Sequence, residues 1–219
     1  MNANIKLWGV SISPYVRKVM VALAEKQISY ELKETLPTVL LKATEQTVPV
    51  EFERASPLGK IPALQVGGDY MLSDSSVIAE YLDLEFSSGN SLYPRNPKLY
   101  AKARWFEMYS DTVLTSVAYQ KIFLERVVKP HVLKEEPNKE VVNCALHEEL
   151  PRLLQFLNDS LQGRVWFVGE DFSMADVAVV TQLLALSMAG YTLSESQYPD
   201  LKRHFQVAMK RESLKEFSV

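Results

Sequence analysis

The sequence predicts two domains of different class, an α/β domain of order βαβαββα over residues 1–86 and an all-helical domain over residues 98–219. Three observations carry this reading. Apolar runs with strand and helix periods alternate through the first 86 residues, a stretch rich in serine and proline interrupts them at 87–97, and beyond it no strand signal of comparable strength recurs.

The elements follow in order. Ile5, Leu7 and Val10 with Trp8 make a short β-prone run. Ser13-Pro14 then opens a helix with apolar Val16, Val19, Met20 and Leu23 and basic Arg17, Lys18 and Lys26. Ile28 to Lys33 alternates apolar and polar, which predicts a second strand, and Glu51 to Arg54 predicts a helical turn stopped by Pro57-Leu58-Gly59. Ile61 to Val66, Gly67-Gly68-Asp69 and Tyr70 to Leu72 form a hairpin pattern. Ser73 to Ser76 are four consecutive residues of the N-cap type, ahead of Val77, Ile78, Tyr81 and Leu82 at helical spacing.

Ser87-Ser88-Gly89-Asn90-Ser91, with Pro94 and Pro97, reads as the linker. Helices are then expected over Lys98 to Val128, Val141 to Leu161, Met174 to Ala189 and Leu201 to Arg211, with Lys129 to Lys139 a polar connection containing two prolines. The uncharged run Val177 to Ser194 is too polar and interrupted to span a membrane and reads as a helix buried on most sides. Ser173-Met174-Ala175-Asp176 has capping-box spacing, with Phe172 and Val177 placed for a hydrophobic staple, which assigns this motif to folding rather than catalysis.

Composition narrows the function. The chain of 219 residues is 47% hydrophobic and 23% charged, as in ordered globular proteins. Lys plus Arg 24 against Asp plus Glu 27 leaves a net charge of -3, without the basic excess that nucleic-acid binding draws on. One cysteine, Cys144, excludes an internal disulfide, and His131, His147 and His204 show no metal-ligand spacing. The opening MNANIKLWGV does not read as a secretory signal, and a reducing, cytoplasmic setting is expected.

Three short segments carry chemistry. Ser13-Pro14 puts a hydroxyl at an N-cap with proline at the first helical position, where free N–H groups and the helix dipole favour an anion; a plain capping serine is the alternative. Lys60-Ile61-Pro62-Ala63-Leu64 places a proline at the head of an apolar strand. A trans proline at a strand edge is the ordinary case, whereas a cis bond would turn the Ile61 backbone outward to pair with an extended peptide. Asp74-Ser75 sets a carboxylate, suited to an ammonium, beside a hydroxyl and free N–H groups, suited to a carboxylate. Together they match the two ends of a free amino acid, and simple capping is again the alternative.

Ser13-Pro14-Tyr15 at the first helix, Gly-Lys-Ile-Pro-Ala-Leu at 59–64, Leu-Ser-Asp-Ser-Ser-Val-Ile-Ala-Glu-Tyr-Leu at 72–82 and Phe-Ser-Met-Ala-Asp at 172–176 together resemble the cytosolic glutathione transferases, across nearly the whole chain. The resemblance implies a thioredoxin-like glutathione-binding domain followed by a helical domain that contributes the electrophile pocket. It puts Ser13 where the serine-type and cysteine-type classes handle the glutathione sulfur, Ile61 before a cis Pro62 against the cysteinyl backbone, and Asp74 and Ser75 on the γ-glutamyl end, with Lys60 helping to hold the tripeptide. Lys42 is the candidate contact to the glycine carboxylate.

Serine at position 13 disfavours mixed-disulfide reductase chemistry. The tyrosine-type classes carry a phenol near the end of the first strand, where this chain has Trp8; Tyr15 lies inside the helix start, and Ser11 is the closer rival to Ser13. Ser11-Ile12-Ser13 also departs from the Ser-Ser-Cys of the isomerase-type class. For the second substrate the family uses the inner face of the first long helix of the helical domain, here Trp105, Met108, Tyr109, Thr112 and Val113, a stripe that on periodicity alone also fits core.

The implied reaction is attack of the glutathione thiolate on an electrophilic carbon or on a hydroperoxide oxygen. Glutathione serves as co-substrate with no tightly bound cofactor or metal, and the partners are a hydrophobic electrophile and a second copy of the chain. A non-catalytic binding or regulatory protein of the same fold is the competing reading.

Overall fold

The computed structural model describes residues 4–217 and divides the chain into two units, Met1–Leu92 and Tyr93–Val219. Residues 1–3, part of the stretch expected to carry no leader, lie outside the described residues, as do 218 and 219, the end of the expected helical domain.

The first unit is built on β1 (Ile5–Trp8), β2 (Glu31–Lys33), β3 (Ala63–Val66) and β4 (Tyr70–Ser73), in the order β2-β1-β3-β4. β1 and β2 run parallel, which requires a crossover, and α1 (Pro14–Glu25) supplies it. β3 returns antiparallel to β1 with Leu7 opposite Leu64, and β4 pairs antiparallel with β3 with Leu64 opposite Leu72. Strand alternation divides the apolar residues between two faces. Trp8 and Ala63, opposite each other, pack with Phe52 and Ala55 of α3 (Val50–Ala55), joined by Val48, Ile61 and Met71. Leu7 and Leu64 take the other face and have no exposed surface.

α4 (Ser75–Glu85) packs along α1. Two buried lysines tie them: Lys18 Nζ donates to Ser76 Oγ at 2.9 Å, and Lys26 Nζ lies 3.2 Å from Asp83 Oδ1. The stretch read as linker is fastened to this pair over residues 88–92. Ser88 Oγ donates to the Lys26 carbonyl at 2.7 Å, Asn90 N–H to the Glu25 carbonyl at 3.0 Å, and Leu92 N–H to Asp83 Oδ1 at 2.8 Å. A Cβ on Gly89 would fall 2.0 Å from the Glu25 carbonyl oxygen. A further helix, α2 (Thr38–Ala43), fills part of the long 33–50 segment, where no element was expected.

The second unit contains no strand among its described residues. α5 (Pro97–Tyr109) starts on Asn96, whose side chain accepts from Lys98 N–H and Leu99 N–H. It runs on through a π-helical turn, Ser110–Leu114, a short α6 (Thr115–Val117) and a π-helical stretch, Ala118–Leu133. The helix thus continues past Val128, and residues 129–133 are helical rather than the expected connection. Pro130 lies inside it: proline lacks an N–H and its ring crowds the carbonyl four residues back, and the wider turns of the π-helical stretch accommodate both.

α7 (Lys139–Cys144), a π-helical turn Ala145–Glu149 and α8 (Leu150–Leu161) form the return, followed by α9 (Met174–Met188), α10 (Pro199–Ala208) and α11 (Glu212–Lys215). α9 is buried at every position from Met174 to Leu186, where the sequence predicts a helix buried on most sides. Asp176 Oδ2 accepts from the Ser173 N–H at 2.8 Å and Oδ1 from the Phe167 N–H at 2.9 Å, so the motif at 173–176 closes the helix start and holds the preceding loop.

Candidate functional site

The register across the first sheet collects the candidate residues. Trp8, the last residue of β1, stands opposite Ala63, the first of β3, and Ala63 opposite Ser73, the last of β4. The chain therefore leaves β1 toward Ser13, enters β3 from Ile61-Pro62, and leaves β4 into Asp74-Ser75, all at one end of the sheet. With strands about 4.8 Å apart, these three openings span roughly 10 Å. Gly9 makes the first of them possible: its φ is +149°, and a Cβ there would lie 2.5 Å from Val16 Cγ2 and 3.4 Å from Ile61 Cβ.

Ser13 is the N-cap residue of α1, with Pro14 at the first helical position. It is buried and its carbonyl accepts the Arg17 N–H at 2.9 Å, yet its side chain makes no capping hydrogen bond. Of the two readings of this serine, the local geometry uses the backbone for the cap and leaves the hydroxyl over. Ser11, two residues earlier, is exposed in the turn, and Tyr15 is half-buried within α1.

The Ile61-Pro62 bond is cis. Ile61 precedes the first ladder pair of β3, so its N–H and C=O stand outside the sheet hydrogen bonding. Lys60 beside it is exposed, and its backbone N–H and carbonyl are both held by Ser56 Oγ, at 3.0 and 2.6 Å.

Asp74 has φ +84° and ψ 122°, a conformation that non-glycine residues adopt at a cost of about 1–3 kcal/mol. Its Oδ1 accepts from Ser76 N–H at 2.9 Å and Val77 N–H at 3.3 Å, so capping does occur here, with one carboxylate oxygen. The Ile78 N–H bonds the Asp74 carbonyl. That accounts for the opening turn of α4 except Ser75, which is buried and retains its N–H and hydroxyl. Lys42 lies exposed in the last turn of α2, and no bond among the described residues joins it to the other candidates.

Two cations at this end, named in the sequence only as basic residues of the first helix, are buried. Arg17 and Lys18 are each 1% exposed. Lys18 braces Ser76, and the Arg17 Nη2 donates to the Ile12 carbonyl at 2.7 Å. One signal was present for Arg17, the fourth residue of α1: a cation closing the first turn of a helix opposes its dipole and calls for a compensating reason.

In the second unit, Trp105, Met108, Thr112 and Val113 are exposed, while Phe106, Glu107, Ser110 and Leu114 face the core. The stripe therefore lies on the open face of the helix rather than inside it. Tyr109 stacks on Trp105 with centroids 5.7 Å apart, and Phe156 of α8 packs against both, at 5.7 Å from Trp105 and 5.0 Å from Tyr109. Phe156 was not foreseen, because it is far from the stripe in sequence. The Tyr109 hydroxyl is buried without a hydrogen-bond partner among the described residues, and burial pushes its pKa up to about 12.

The description "Glutathione S-transferase, N-terminal domain" matches residues 12–85, and "Glutathione S-transferase, C-terminal domain" matches residues 119–212. Among curated relatives, glutathione S-transferase U2 of Arabidopsis thaliana is 29% identical over 91% of this chain and 81% of its own length. The glutathione S-transferase GstB of Escherichia coli is 26% identical over 97% and 96%. A crystal structure of a glutathione S-transferase from Methylobacillus flagellatus, with glutathione bound, superimposes with a TM-score of 0.76 at 31% identity, covering 98% of this chain and 99% of that one. Matches in both halves, in the order and over the lengths that the fold requires, establish that this chain belongs to the glutathione S-transferase family.

Proposed function

We propose that the chain is a glutathione transferase in which residues 1–86 bind glutathione and Ser13 acts on its sulfur. The observation that carries the reading is the Ser13 hydroxyl: on a buried residue at a helix N-terminus and unused by the cap, it is left to donate to an anion that arrives there. In this reading the Ile61 backbone pairs with the cysteinyl residue, the Ser75 N–H and hydroxyl take the γ-glutamyl carboxylate, and the second oxygen of Asp74 takes its ammonium. Lys60 and Lys42 supply positive charge for the remaining carboxylate.

Ser13 Oγ–H donates to the thiolate, holding it ionised. The sulfur forms a bond to an electrophilic carbon, and a leaving group departs with its electron pair, or in an addition the adjacent carbon takes up a proton. With an organic hydroperoxide the thiolate attacks the outer oxygen and the O–O bond breaks to release an alcohol; the resulting glutathione sulfenic acid condenses with a second glutathione to give disulfide and water. The helical unit contributes the electrophile pocket through Tyr109, Trp105, Met108, Thr112 and Val113, whose apolar exposed face suits a hydrophobic acceptor.

The protein acts in the cytoplasm as a homodimer, two-fold assemblies being the commonest form of soluble oligomer. Among the described residues no helix is long and apolar enough to cross a membrane. Calorimetric titration with glutathione, followed by thiol-loss assays on several unrelated electrophiles, tests the reading. No binding overturns it, binding without turnover reduces it to a binding protein, and a monomer mass by light scattering at micromolar concentration overturns the assembly.

A further inference from the structure

We propose that Arg17 is a positioning residue for the reaction, its buried guanidinium anchoring the Ile12–Ser13 turn and setting a fixed positive charge beneath the glutathione thiolate. The inference rests on the reading of Ser13 above and extends it to a residue that does not touch the substrate.

Arg17 is 1% exposed, and of its guanidinium nitrogens Nη2 bonds the Ile12 carbonyl at 2.7 Å while Nε and Nη1 have no partner among the described residues. A buried arginine whose donors are left over is costly, and no carboxylate among the described residues pairs with this one. Its position adds to the cost, because a cation in the first turn of α1 opposes the helix dipole. Both costs fall when an anion occupies the N-terminus of α1.

The geometry puts the charge at that point. Arg17 is four residues after Ser13, hence on the same face of the helix, and helical side chains lean toward the N-terminus. Standard bond lengths place the Ile12 carbonyl oxygen about 2.8 Å from Ser13 Cα and Oγ about 2.4 Å further, so Nη2 lies within about 8 Å of the hydroxyl. Burial pushes the Arg17 pKa down to about 10, which still leaves the group charged at neutral pH. A unit charge about 10 Å from the sulfur, at an effective dielectric of about 20, shifts a thiol by about one pH unit.

The experiment follows the thiolate absorbance of bound glutathione against pH in the full-length protein. Arg17→Met is expected to raise the titration midpoint by about one pH unit, with the glutathione dissociation constant at low pH changed less than about threefold. Arg17→Lys, which keeps the charge, is expected to recover more than half of the shift. A folded R17M protein whose midpoint matches wild type overturns the proposal.

Should R17M fail to fold, Ser13→Ala tests the same charge, since its bound thiol is expected to titrate below free glutathione while Arg17 remains. A midpoint equal to that of free glutathione in S13A overturns the proposal. A wild type whose bound thiol already titrates as free glutathione overturns the Ser13 reading and this one together, whereas a wild-type shift that survives R17M overturns this one alone.

Discussion

Replacing Ser13 by alanine removes a hydroxyl that the fold does not use. A capping serine lost to alanine costs about 1 kcal/mol, but here the side chain makes no capping bond, so a few tenths of a kcal/mol are expected, about 1 °C in Tm. The effect on the sulfur is larger. A hydrogen bond to a charged group is worth about 1.5–3 kcal/mol, or about one to two pKa units. Take the larger figure, with the bound thiol moving from about 5.5 to about 7.5, still about one unit below a free thiol because Arg17 remains.

At pH 7 the thiolate fraction then falls only about 4-fold, while the more basic thiolate gains about 6- to 10-fold in intrinsic reactivity, so the mutant is about 2-fold faster. At pH 5.5 the fraction falls about 50-fold and the mutant is about 6-fold slower, the order reversing near pH 6.6 and the mutant becoming faster by several-fold at pH 9.5. Crossing rate profiles under single-turnover conditions, measured beside a melting curve, are thus the signature. A mutant that is slower by a constant factor at every pH, or one that melts several degrees lower with an unshifted profile, refutes the role. Ser11→Ala is the control and is expected to leave both the profile and the melting curve unchanged, because Ser11 is exposed in the turn.

Ser75→Ala removes one of the two donors left at the start of α4 and is expected to weaken glutathione binding by about 10- to 150-fold in a calorimetric titration; an unchanged dissociation constant rejects the γ-glutamyl assignment. Gly9→Ala should lower stability by about 2 kcal/mol or more, read as a Tm fall of at least about 4 °C, because its φ of +149° disfavours a side chain and the stiff Val16 stands 2.5 Å from the new Cβ. Tyr109 and Tyr191 are expected to ionise only near pH 12, and burial raises Tyr93 as well, so Tyr109→Phe should remove one late step from an ultraviolet titration. The sign follows: with the folded pKa raised, the neutral phenol is favoured in the fold, and that contribution is kept below about pH 10 and lost between about pH 10 and 12.

The order of strands and helices was legible because each element of the first unit is short, differently patterned and punctuated by proline or glycine. The exceptions have local causes. α2 is a six-residue helix with one buried residue, Leu41, too little apolar pattern to register. Pro130 marked a helix end that the wide turns of residues 118–133 do not make. In the candidate site, the positions of Ser13, Ile61 and Asp74 followed from cap and turn chemistry, but their gathering at one end of the sheet follows from the pairing Trp8–Ala63–Ser73, which no local pattern reveals. Arg17 and Lys18 read as ordinary basic residues because burial of a charge depends on what covers the helix, and the one hint in the sequence is the place of Arg17 against the dipole at the start of α1.

Residues 88–92 bear on where this chain tolerates a cut. Composition alone nominates Ser-Ser-Gly-Asn-Ser as a protease target and as a place to end an isolated first half. In the fold those residues terminate α1, occupying the carbonyls of Glu25 and Lys26, and Leu92 N–H occupies Asp83. A chain stopped at residue 86 strips the end of α1 of these partners, leaving backbone carbonyls to be satisfied by water alone. One stopped after residue 92 keeps them, so the six residues that look most dispensable decide whether the N-terminal half can be studied by itself.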